Sequence, residues 1–183
     1  LETVDFNEGL TEIKEYAFQS TPLTRLTLPN GLQTIRYWAF GDCNSLTFVF
    51  VPADVSLIEQ YAFANCYNLK LACVGNATKP GAWHVEWMYS GATVVWNVKE
   101  MITQDGVTYI LFNDGTAIAY SYSGSAEELT LGVEGYTLTE IIANAFYDCN
   151  TLKKIVIPEG VEVIGEGAFA SCDLLSDVSL PST

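Results

Sequence analysis

Alanine-phenylalanine occurs five times in this chain, at Ala17-Phe18, Ala39-Phe40, Ala62-Phe63, Ala145-Phe146 and Ala168-Phe169. The clearest copies stand 23 residues apart; Leu23, Leu46 and Leu69 keep that spacing, as do Leu152 and Leu175. A unit this short cannot bury its own apolar side, so neighbouring copies must stack to make a continuous core. The period therefore restricts the chain to a solenoid. Solenoids present long faces to ligands more often than enclosed pockets.

Written from its leading leucine, the unit runs Leu-x-x-apolar-x-apolar-Pro-x-Gly-apolar-x-x-Ile-x-x-x-Ala-Phe-x-x-Cys. The copy from Leu23 to Ser45, LTRLTLPNGLQTIRYWAFGDCNS, shows every part. Its first stretch alternates apolar and polar residues, which is the period of a strand. Pro29-Asn30-Gly31 then turns the chain, proline presetting one dihedral and glycine closing the turn. A second extended piece ends at Ile13, Ile35, Ile58, Ile141 or Ile164, and the stretch through Ala-Phe to Cys reads as a turn or a short helix. Stacking places each Phe over the Phe of the next copy.

This frame resembles the BspA-type leucine-rich repeat, a family of bacterial surface proteins also found in some protozoan parasites. The resemblance covers residues 1–74 and about 127–183. The family often carries Gly directly after the repeat Ile; Gly165 matches, while Lys14, Arg36, Glu59 and Ile142 depart. The resemblance implies an α/β leucine-rich-repeat solenoid of the right-handed β-α superhelix type, with short strands and short helices or turns. It also implies a secreted or cell-surface bacterial protein with an adhesive role toward a protein or glycan, host-derived ligands among them. Leu1 opens inside a repeat and Thr183 stops inside another, so a piece of a longer protein is expected, with signal and anchor outside this chain.

The period fails after Leu69. Residues 69–98 carry Trp83, His84, Trp87, Tyr89 and Trp96. Three tryptophans in so short a span either seal the end of the first repeat block or stack on sugar rings. Val107–Phe112 and Thr116–Tyr122 flank Asn113-Asp114-Gly115, a strong hairpin signal. Three segments are expected: an N-terminal repeat block (1–74), a Trp-rich cap with a β-hairpin (75–126), and a truncated C-terminal repeat block (127–183).

Hydrophobic residues make up 49% and charged residues 16%, so a disordered acidic tail is excluded. The net charge of −14 repels nucleic acid and anionic lipid. No segment has the apolar length of a membrane span. The five cysteines, at 43, 66, 73, 149 and 172, are an odd number, and four precede a repeat leucine by three residues. A stacked row of buried thiols is favoured over bridges between repeats or a metal site, because only His84 is available as a partner. No phosphate loop, zinc motif or nucleophile elbow is present, so no catalytic residue, cofactor or metal is assigned.

If the first strands line one sheet, the outward positions are Thr3 and Asp5, Arg25 and Thr27, Phe48 and Phe50, Lys154 and Val156, and Asp177 and Ser179. Phe48 and Phe50 stand out, because an outward aromatic pair is either a contact site or is covered by a neighbouring segment. The candidate ligand-binding residues are therefore Phe48, Phe50 and Arg25 on the strand face, with Trp83 and Trp87 on the insert. A binding or adhesion module is the leading reading. The alternatives are a spacer that presents another domain and a glycan site on the Trp-rich insert.

Overall fold

The computed structural model describes residue 4, residues 6–7 and residues 9–182, so the expected outward positions Thr3 and Asp5 lie outside the described residues. The chain divides into two compact units, Leu1–Val98 and Lys99–Thr183.

In the first unit the repeats contribute short strands that form two parallel sheets. The leading strands β2 (Arg25–Thr27), β4 (Phe48–Val51), β6 (Leu71–Val74) and β7 (Thr93–Val95) form a parallel sheet in that order; the second strands β1 (Glu12–Ile13), β3 (Thr34–Ile35) and β5 (Leu57–Ile58) form another. Register aligns Leu26 with Val49 and Val49 with Ala72, all pointing into the core, and Ile13 with Ile35 with Ile58. The period of two in the sequence is thus the inside-outside alternation of a strand.

The second unit opens with β8 (Val98–Gln104), then the hairpin of β9 (Val107–Phe112) and β10 (Thr116–Tyr122), paired antiparallel at the residues expected for it. Gly115 turns it with φ of 82°. After β11 (Glu128–Thr130) come β12 (Thr137–Ile141), β13 (Lys154–Val156), β14 (Val163–Ile164) and β15 (Asp177–Ser179). The sheets run β14-β12-β10-β9-β8 and β11-β13-β15. Parallel pairing of β10 with β12 makes the hairpin's second strand the first rung of the repeat stack.

The expected α/β class is corrected here. Every regular element among the described residues is a strand, and no helix occurs between Ile and Cys of any repeat. The reason lies in the backbone on either side of Ala-Phe. Two residues before Phe and two after it, φ is positive in all five copies: Tyr16 and Ser20, Trp38 and Asp42, Tyr61 and Asn65, Asn144 and Asp148, Gly167 and Ser171. A helix requires φ near −63°, so a left-handed residue every four positions ends it before it can begin. The amide hydrogens accordingly point across the stack: Phe18 N donates to Ala39 O, Phe40 N to Ala62 O and Phe146 N to Ala168 O, at 2.8 Å each. The solenoid stands, built from strands and turns without the β-α superhelix.

The phenylalanines stack along each unit's core. Ring centroids lie 5.2 Å apart for Phe18–Phe40 and 5.0 Å for Phe40–Phe63, with planes within 5° and 11° of parallel. In the second unit Tyr122, Phe146 and Phe169 continue the pattern at 5.2 and 5.0 Å. Tyr122 N donates to Ala145 O, the bond a repeat Phe makes, so Tyr122 takes a Phe place that the sequence does not mark.

Candidate functional site

The residues singled out from sequence fall in two environments. On the outer side of the first unit's leading sheet, Arg25 is exposed and Phe50 half-buried, whereas Phe48 is only 4% exposed. The Arg25 guanidinium lies 4.5 Å from the centre of the Phe48 ring, a cation–π contact worth about 0.5–1 kcal/mol at an exposed site. Trp83 and Trp87 belong to the core, at 2% and 5% exposure. The Trp83 indole donates to Val55 O at 3.1 Å, and the Trp87 ring meets Phe63 edge-on at 5.9 Å. They pack at the end of the Phe stack, with both rings buried in the core.

Another group of aromatics does reach the surface. Between the repeat Ile and Ala-Phe, the first three copies read Lys-Glu-Tyr, Arg-Tyr-Trp and Glu-Gln-Tyr, whereas the last two read Ile-Ala-Asn and Gly-Glu-Gly. The turn geometry turns Tyr16, Tyr37, Trp38 and Tyr61 outward in one stripe along the stack. Tyr16 is 49% exposed and the other three are half-buried. Centroid separations are 5.7 Å for Tyr16–Tyr37, 6.2 Å for Tyr37–Tyr61 and 6.0 Å for Trp38–Tyr61. Three of these rings occupy left-handed positions, where a bulky residue costs roughly 1–2 kcal/mol; the second unit places Asn144 and Gly167 there instead. The signal for this stripe was in the sequence, in the difference between the two blocks, but it was masked by the louder Ala-Phe beside it.

Beside the rings runs a ladder of ion pairs. Arg36 donates to Glu12 through Nε and to Glu59 through Nη1, both at 2.6 Å, and Lys14 pairs with Glu12. Glu59 also accepts the amide of Tyr37 at 2.9 Å, fixing the base of that ring. Hydrogen bonds from Lys14 and then Arg36 hold the Glu12 carboxyl below the usual range, while Glu59 and then Glu12 raise the Arg36 guanidinium. Farther along, Gln60 donates to Glu86 at 2.7 Å, and the Glu86 charge pushes the Tyr61 hydroxyl up. A cleft of about 320 Å³ opens beside Tyr37, lined by Glu59, Gln60, Ala82 and His84 among others. His84 Nδ1 accepts the amide of Glu86 at 3.1 Å. This volume is at the small end of the range for small-molecule sites, about 300–1,000 Å³.

Three of the cysteines bond to the coil before them. Cys43 Sγ donates to Phe18 O at 3.1 Å, Cys66 to Phe40 O at 3.2 Å and Cys172 to Phe146 O at 3.0 Å. All five are free thiols, four of them buried and Cys172 half-buried. The hydrogen bond with Cys43 and burial both push the Cys66 thiol up, and burial pushes Cys73 up to about 12. The hydrogen bond with Cys66 lowers the Cys43 thiol to about 7, but Cys43 is fully buried. Labelling needs access as well as thiolate, so one fast-reacting thiol, the half-buried Cys172, is expected in the native protein and five after denaturation. A timed thiol-labelling assay checks this, with Cys172→Ser expected to remove the fast phase; rapid labelling of Cys66 or Cys73 would refute it. Among the described residues no group of three or more His, Cys, Asp or Glu is placed to hold a metal ion, and no helix is long and apolar enough to cross a membrane.

Comparison with known proteins agrees with the repeat frame. A family model described as BspA type leucine rich repeat region matches in six copies, over residues 1–79 and 116–183. A leucine-rich repeat protein from Bacteroides capillosus is similar at 28% identity and a TM-score of 0.41, over 45% of this chain and 67% of that one. A leucine rich repeat protein of T. pallidum aligns at 28% identity and a TM-score of 0.40, over 45% of this chain and 40% of its own. A leucine rich cell surface protein from Faecalibacterium prausnitzii aligns at 21% identity and a TM-score of 0.43, over 87% of this chain and 42% of its own. The chain thus spans about two fifths of the length of the last two. No curated protein matches in sequence.

Proposed function

We propose a binding role outside the cell for this chain, which belongs to the BspA-type leucine-rich repeat family. It is a non-catalytic adhesion module, secreted or held at a bacterial surface, that takes a protein or glycan ligand on the exposed side of its first unit. The surface-protein character of the family supports the location. The observation that carries the binding reading is the stripe of Tyr16, Tyr37, Trp38 and Tyr61, rings from three successive coils that cluster on one surface of the first unit while its Ala-Phe rings stack inward. Aromatic rings are the side chains that carry most energy in recognition, because they bury much area at little entropic cost.

The test exchanges the three left-handed aromatics for the residue that the second unit uses at that place. A Tyr16→Asn, Trp38→Asn, Tyr61→Asn variant removes three rings and relieves the backbone. Wild type is expected to bind at least one of a panel of immobilised serum proteins, matrix proteins, mucin and cell-wall polysaccharides. The variant is expected to bind it at least about tenfold more weakly, roughly the loss of 1.4 kcal/mol or more. Unchanged binding would refute the stripe as the contact surface. The strand face offers the other accessible pair, exposed Arg25 and half-buried Phe50. Loss of binding in Phe50→Ser, with the stripe variant intact, would move the site there.

A further inference from the structure

We infer that the ligand of this stripe is a linear, uncharged polysaccharide, an inference that rests on the stripe being the contact surface. Three features point to that class. The first is repetition. Tyr16, Tyr37 and Tyr61 come from successive coils with centroids 5.7 and 6.2 Å apart, turned 85° and 56° to one another, so every coil of the stripe offers an aromatic ring. A polymer of identical sugar units in extended form offers its apolar ring faces in the same way, and a folded protein surface does not.

The second is the state of the charges. Glu12 is taken up by Lys14 and Arg36, Glu59 by Arg36 and the Tyr37 amide, and Glu86 by Gln60. Three carboxylates beside the rings are therefore already partnered, and Glu15, next to Tyr16, is exposed to solvent. A basic peptide would have to break those pairs to gain new ones, with little net return at a solvated surface. A polyanionic glycan meets a chain of net charge −14 and is repelled. A neutral ligand incurs neither cost.

The third is the cleft beside Tyr37, where an aromatic wall faces Glu59, Gln60 and His84. A sugar ring has one apolar face and a rim of hydroxyls. Stacked on Tyr37, it would place that rim against an amide, a carboxylate and an imidazole, which between them donate and accept. The Arg36–Glu59 ion pair and the Gln60–Glu86 hydrogen bond also hold these groups still, and a preordered polar rim loses less entropy when it binds.

The test uses the full chain in native gels cast with a single polysaccharide, where the acidic protein migrates toward the anode and binding slows it. The probes are hydroxyethylcellulose, laminarin and konjac glucomannan as neutral polymers, hyaluronan as the anionic one, and polylysine measured separately by calorimetry. Retardation by at least one neutral polymer is expected, with none by hyaluronan. The Tyr16→Asn, Trp38→Asn, Tyr61→Asn variant should need at least about ten times more polymer for the same retardation, while Tyr147→Ala in the second unit should behave as wild type. The triple variant's melting temperature, followed by Trp83, Trp87 and Trp96, should lie no more than a few degrees below that of wild type, which guards against a folding artefact. Polylysine or an immobilised protein bound by wild type and lost in the triple variant, with all three neutral polymers inert, overturns the glycan class and leaves the stripe standing. Neutral-polymer binding that is indifferent to the triple variant overturns both.

Discussion

Replacing Phe40 by alanine is expected to destabilise the first unit by about 3–5 kcal/mol, the usual cost of truncating a buried aromatic. Phe40 is fully buried and sandwiched between Phe18 at 5.2 Å and Phe63 at 5.0 Å, so its removal breaks two ring contacts and leaves a hole in the middle of the stack. The cavity has little means of closing, because backbone hydrogen bonds on both sides, from Phe18 N to Ala39 O and from Phe40 N to Ala62 O, hold the coils at fixed separation. The four tryptophans, at 38, 83, 87 and 96, all belong to the first unit, so their fluorescence follows its unfolding selectively. At about 4–8 °C per kcal/mol for a domain this size, the melting temperature should fall by well over 10 °C. Phe18→Ala is the internal comparison. Phe18 is half-buried and nearer the end of the stack, so it should cost less. Equal losses at the two positions would mean that neither depth of burial nor place in the stack sets the cost.

The stack was legible because burial by neighbouring copies enforces one residue type at one place, and Ala-Phe recurs wherever the coil must be filled. Strand alternation and the Asp114-Gly115 hairpin were legible for similar reasons: each is set by local chemistry. What the sequence hid was set by the stack instead. The turn through Ala-Phe carries left-handed residues at Tyr16, Trp38 and Tyr61, types that seldom adopt positive φ by choice. Only the cross-coil hydrogen bonds impose it, and those involve no side chain that could be read. Backbone pairing likewise carries the stack one coil beyond the apparent break. β7 continues β6, and Phe63 N donates to Trp87 O at 2.9 Å, although Ala-Phe is gone from residues 75–98. At the candidate site, alternation puts Phe48 opposite the core residues Val49 and Val51, but its 4% exposure depends on what lies over it, which no period encodes.

Trp83→Ala is expected to have an effect comparable to that at Phe40, about 3–5 kcal/mol, and the pattern of related variants separates its causes. Trp83 closes the open end of the first unit, with ring centroids 5.1 Å from Trp87 and 5.9 Å from Trp96. Its indole N–H satisfies Val55 O, a carbonyl from the turn that follows β4. Trp83→Phe keeps most of the buried ring but leaves that carbonyl without the indole donor, so it should cost the smaller amount typical of an unsatisfied buried group, about 1–3 kcal/mol. Trp83→Ala should in addition expose the apolar end of the stack around Phe63, which would appear as new binding of a hydrophobic dye before the unit melts. The remaining tryptophans at 38, 87 and 96 still report unfolding in both variants. A sugar-stacking role for Trp83 predicts the opposite pattern, with polysaccharide retardation lost and stability unchanged. Should Trp83→Ala melt within about 1 kcal/mol of wild type, too little for any buried aromatic, the closure would have to be assigned to Trp87 and Trp96 alone.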